Sequence, residues 1–137
     1  MAAQWVKEGL RVAADAVLKT DATPEVKNLV CFSDNETITD ATVYADLTII
    51  SANGITPTAL AKATWAAGTD ADPVASIYNG AAGVEFTLSG DQDVYGWAIV
   101  GATSNALYIA DNWGLKSMKN GDTLTVAPIT VNWDIPE

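Results

Sequence analysis

The stretch from Val94 to Trp133, VYGWAIVGATSNALYIADNWGLKSMKNGDTLTVAPITVNW, constrains the fold more than any other, because it alternates strand-like runs with turn residues. Its first run, Val94 to Ala102, places Tyr95, Trp97 and Ile99 on one face and Val94, Ala98 and Val100 on the other. Side chains alternate across a strand, so apolar residues on both faces predict a buried central strand. Thr103-Ser104-Asn105 is a short polar turn, after which Leu107 and Ile109 face one way and Tyr108 the other, giving a hairpin. Asn120-Gly121-Asp122 is a second turn signal. Leu124 and Val126 follow at even positions, and beyond Pro128 come Ile129, Val131 and Trp133 at odd ones. The phase slips by one residue. Proline lacks the ladder donor, so a bulge or corner is expected near Ala127-Pro128, where the chain bends and passes between two sheets.

The remainder adds shorter strands behind one helix. From residue 4 to 19, Val6, Leu10, Ala13 and Val17 form a stripe flanked by Trp5, Val12 and Ala16, with Lys7, Glu8, Arg11 and Asp15 on the other positions. That period predicts an amphipathic helix. Leu29 to Phe32 reads as a buried strand, and Val43 to Ile50 as a β-branched and aromatic run interrupted by Asp46. Asn53-Gly54 signals a turn. Ala59 to Trp65 fits either helix, by its alanines, or strand, by its alternation, and strand is the reading adopted. Val74 to Tyr78 reads as an edge or short strand. Val84 to Ser89 alternates cleanly, with Val84, Phe86 and Leu88 inward, as in a half-exposed antiparallel strand.

About eight short strands at intervals near ten residues predict a mainly β fold, an antiparallel β-sandwich or barrel for which a jelly-roll is one topology. The 137 residues suffice for a single domain, 1–137, with its helix at 4–19 and its sandwich at 27–135. One cysteine, Cys31, lies in the apolar run Leu29 to Phe32, so it reads as a buried structural thiol that cannot close an intramolecular disulfide.

Charge and composition narrow the chemistry. The net charge of −10, from 17 acidic and 7 basic residues, disfavours a nucleic-acid partner, whose phosphates are held by Lys and Arg. No apolar run approaches the roughly 20 residues of a membrane helix, and Lys7, Glu8 and Arg11 stand where a signal peptide would be apolar. A chain made in a cytoplasm, without a membrane partner, is expected. Histidine is absent, which removes the usual general base and the Ser-His and Cys-His pairs. The chain therefore reads as a non-enzyme without a cofactor. Asp91, Asp93 and Asp111 are the candidates for a carboxylate-pair hydrolase. Asp34, Asn35, Glu36 and Asp40, with Asp70 and Asp72, are acidic loops lacking the spacing of a twelve-residue calcium loop. Solvated acids explain both sets more simply. Of the five tryptophans, Trp97 and Trp133 read as core and Trp5 lies on the helix, which leaves Trp65 and Trp113 as platforms on which a sugar could stack. Packing under a loop or in a subunit contact is the simpler role for both.

Several segments carry a resemblance. QWVKEGLRVAADAVL, LVCFSDNETITDATVYADLT, the later ATW, and then VEFTLSG, VYGWAIV, LYIADNW and NGDTLTVAPITVNW occur in an order that resembles small structural proteins of tailed bacteriophages. The chain departs from that pattern between Asn53 and Ala63, which lacks an aromatic. The resemblance implies a virion component, foremost an accessory protein that decorates or cements the capsid, with a tail or baseplate part as the alternative. It implies the phage's major capsid protein as partner and a dimer or trimer as the oligomer, and it transfers no functional residues. Because Lys7, Arg11, Lys19 and Lys27 are four of the seven basic residues, the N-terminal segment is the expected capsid-facing element. Trp5, Lys7, Arg11, Trp65 and Trp113 are the candidate partner-binding residues. A glycan-binding adhesin domain and a carboxylate hydrolase remain as readings from other classes.

Overall fold

A computed structural model describes residues 26–39, 41–60, 74–78, 83–127 and 129–133. The expected helix at 4–19, with Trp5, Lys7 and Arg11, lies outside the described residues, as do Trp65, Asp40, Asp70 and Asp72. The described chain is mainly β and antiparallel. Its strands are β1 (Lys27–Phe32), β2 (Thr58–Ala59), β3 (Val74–Tyr78), β4 (Val84–Thr87), β5 (Gln92–Gly101), β6 (Leu107–Met118), β7 (Thr123–Val126) and β8 (Ile129–Trp133). They form a four-stranded sheet in the order β2-β1-β5-β6 and two ribbons, β3-β8 and β4-β7.

The strand expected at the centre is there. β5 pairs with β1 from Lys27↔Gly101 to Phe32↔Gly96 and with β6 from Gln92↔Met118 to Val100↔Leu107. Each face of this sheet carries its own apolar cluster. Leu29, Cys31, Val94, Trp97 and Ile99 join Phe86 and Leu88 from the β4 segment and Leu124 and Val126 from β7. On the other face Val30, Phe32, Ala98 and Val100 pack with Leu47, Ile38, Tyr44 and Ile49 from the 33–50 segment. Burying both faces removes apolar area from water on two sides at roughly 25 cal/mol per Å², which is why β5 carries apolar side chains on both faces from Val94 to Val100.

The predicted face assignment of β5 and β6 needs correction. Val94 shares a cluster with Trp97 and Ile99, while Tyr95 packs with Ala98 and Val100. Between Val94↔Lys116 and Gly96↔Asn112, one β5 residue faces three on β6, Trp113, Gly114 and Leu115. That bulge changes the phase, and a slip of one residue sends a side chain to the opposite face. A second irregularity makes Tyr108 an extra residue between Ile99↔Ile109 and Val100↔Leu107. Tyr108 and Ile109 therefore pack on one cluster and Leu107 and Ala110 on the other, in place of simple alternation.

Other departures have local causes. Val43 to Ile50 is no continuous strand, because Tyr44–Asp46 forms a 3-10 turn in which the Asp46 carboxylate accepts the Val43 N–H at 2.9 Å. Short acidic side chains compete with ladders in this way. Ile49 alone bridges back to Phe32. Of Ala59 to Trp65, Ala59 is in strand and Leu60 is buried; 61–65 lie outside the described residues. The expected passage between sheets is seen in the pairing, since β7 pairs with β4 and β8 with β3, so the chain leaves one ribbon and enters another between Val126 and Ile129. The alternation of Val84 to Ser89 is also observed, with Phe86 and Leu88 buried and Glu85, Thr87 and Ser89 exposed.

Candidate functional site

The polar residues singled out from sequence are used mostly to hold turns. Asp34 Oδ1 accepts the Thr48 N–H at 2.7 Å, closing the base of the 33–48 segment. Asn112 on β6 donates from Nδ2 to Asn35 Oδ1 at 3.1 Å and to the Glu36 carbonyl at 2.8 Å, tying that segment to β6. Among the described residues no three Asp, Glu, Cys or His side chains gather as a metal site.

Three turns meet at one end of the sheet. Asn53, held at φ 56°, donates from Nδ2 to the Asp91 carbonyl and to Gln92 Oε1, and its own carbonyl accepts the Ser89 N–H. Asp91 Oδ1 accepts the Asn120 N–H at 3.1 Å, and its other oxygen lies 3.7 Å from Lys119 Nζ in an exposed pair. Asp122 closes the β6-β7 turn by accepting the Lys119 N–H. A carboxylate that fixes a backbone turn satisfies donors the ladder leaves over. Asp93 and Asp111 stand opposite Ser117 and Trp97, four positions apart along β5, or roughly 13 Å at a strand's rise per residue.

Trp113 is the one candidate partner-binding residue among the described residues. It opens the β6 bulge, where Gly114 at φ 85° supplies a backbone turn that other residues resist and donates its N–H to Asn112 Oδ1 at 2.8 Å. The indole is half-buried against the larger cluster, and Lys116 Nζ lies 4.9 Å from the ring centroid. Its Nε1 is buried with no hydrogen-bond partner among the described residues. Trp113 thus packs against the core cluster with a lysine over its ring. Trp97, expected in the core, is there at 8 % exposure.

Cys31 is fully buried, as expected for a structural thiol, and desolvation pushes its pKa up to about 12. The exposed large apolar residues, Val26, Val43 and Leu115, come from three separate segments.

Sequence reasoning missed a groove of about 300 Å³ between the 38–42 segment and the start of β6, lined by Ile38, Thr39, Thr42 and Leu107 to Ala110. Thr42 Oγ1 accepts the Thr39 N–H, so two close threonines shape its rim. Their spacing was visible in the sequence, but the neighbouring strand was not. Compared with known proteins, the chain matches no family model, no curated protein and no solved structure.

Proposed function

We propose that this protein is a virion structural component of a tailed bacteriophage, a decoration protein that binds the outer surface of the head and cements it. The observation that carries the reading is the ordered resemblance of segments along nearly the whole chain, from QWVKEGLRVAADAVL to NGDTLTVAPITVNW. A mainly β, antiparallel chain whose polar side chains are spent on fixing turns suits a part that acts through its surfaces. The net charge of −10 suits a subunit that stays soluble before assembly.

In this reading the chain is one domain, and the four-stranded sheet and the β4-β7 ribbon, which share an apolar cluster, are the two layers of a β-sandwich. The partner is the major capsid protein, and a dimer or trimer repeats the contact around a symmetry axis. Weak contacts at several lattice points then add through multivalency. The N-terminal segment is the capsid-facing element, its lysines and arginine balanced by Glu8, Asp15, Asp21 and Glu25 and set against a more acidic remainder.

The test is co-sedimentation with heads of the phage that encodes the protein, prepared without it and imaged afterwards by cryo-microscopy. Saturable density on the head lattice, with raised resistance of the shells to heat, is the expected result. Density confined to the tail would replace the decoration role by a tail or baseplate one, and absence of binding to any particle would overturn the virion reading.

A further inference from the structure

We infer that the outer edge of β6 is a docking site for an extended, lysine- or arginine-bearing segment of a partner protein, added as a strand beside Ile109 to Asn112. β6 is the last strand of the four-stranded sheet, and no described strand pairs with its outer side. An edge strand presents unpaired N–H and C=O groups that an extended peptide can complete. The two irregularities bracket the usable length. Ile109↔Ile99, Ala110↔Ala98, Asp111↔Trp97 and Asn112↔Gly96 run in unbroken register, between the extra residue Tyr108 and the bulge at Trp113 to Leu115. A run this short is a poor template for open-ended aggregation and a sufficient one for a single short strand.

The chemistry of the occupant follows from its surroundings. The groove overlaps the start of this run at Ile109 and Ala110 and is otherwise lined by Ile38, Thr39, Thr42, Leu107 and Tyr108. Ile38, Leu107 and Ala110 belong to the cluster on one face of the sheet, so that face of the added strand meets apolar side chains beside two threonines. Asp111 is exposed on the run itself and is its one charged side chain, and the Asn112 amide at the far end is turned to Asn35 Oδ1 and the Glu36 backbone carbonyl. A residue of the added strand beside Asp111 is a cross-strand neighbour, where an opposite charge is favoured and a like charge is not. The chain's overall charge of −10 acts in the same direction at longer range. The occupant is therefore an extended segment with an apolar face and a basic one. The site is independent of whether that partner is a capsid protein.

The test is a titration of the isotope-labelled full chain, followed by NMR, with a blocked peptide of alternating valine and lysine. Saturable shifts confined to the 38–42 segment and Leu107 to Asn112 are expected, with none from the valine–glutamate counterpart. Asp111→Lys weakens binding by about threefold to fivefold, the scale of one exposed charge pair. Peptide N-methylated on the residues facing β6 loses binding, because the ladder donors are gone. Shifts elsewhere, no saturable shift, or equal binding by the N-methylated peptide would overturn the inference. The titration contains no phage particle, so its failure leaves the decoration reading standing, and failure to bind particles leaves this site standing.

Discussion

Gly96→Ala tests the packing at the centre of the sheet. Gly96 lies in β5 between Phe32 of β1 and Asn112 of β6, and a Cβ built there falls on the Asp111 carbonyl oxygen and on the edge of the Phe32 ring. Gly96 is not in the left-handed region, so backbone conformation alone would let alanine stabilise the fold by about 0.4–1 kcal/mol through the unfolded chain. Overpacking works against that gain and costs about 1–3 kcal/mol where side chains can adjust. A ring can turn away, but a carbonyl held in the β5-β6 ladder cannot move without opening the ladder. The expected net loss is therefore about 2–3 kcal/mol. Urea unfolding followed by tryptophan fluorescence reads it as a fall in midpoint of about 1–2 M at unchanged slope. The double variant with Phe32→Leu separates the two obstacles. A coupling near zero assigns the cost to the carbonyl, and a recovery of about 1 kcal/mol or more assigns it to the ring. Stability equal to or above that of the parent chain would refute the close approach of β1, β5 and β6.

Two further outcomes follow from the core. Trp97→Ala should cost about 3–5 kcal/mol, as expected for truncating a buried aromatic, and a loss below about 1 kcal/mol in the same assay would remove Trp97 from the core. The Cys31 thiol is raised from 9.0 to about 12, so the folded chain keeps its proton where the unfolded chain has lost it. Its contribution is complete below pH 9.0 and disappears as pH rises toward about 12; Cys31→Ala should flatten that part of the stability profile, and parallel profiles for the two proteins would contradict the assignment.

Sequence alone determined the strands whose patterns are set by their own residues. β5 was legible because apolar residues occupy both of its faces, and Val84 to Ser89 because period-two alternation requires one wet face. Asn120-Gly121 and Asn53-Gly54 marked turns because a glycine adopts positive φ at little cost, and both glycines do so. The phase change around Pro128 marked the passage between ribbons. Tertiary structure decided what depends on partners distant in the chain. The faces of Val94, Tyr95 and Tyr108 were set by bulges, which exist only relative to the opposite strand. Asp46 broke a run that propensity favoured because a local hydrogen bond to Val43 competes with the ladder. The groove beside β6 needed the 38–42 segment and Leu107 to Ala110 to meet across more than sixty residues of chain, and neither segment carries that information alone.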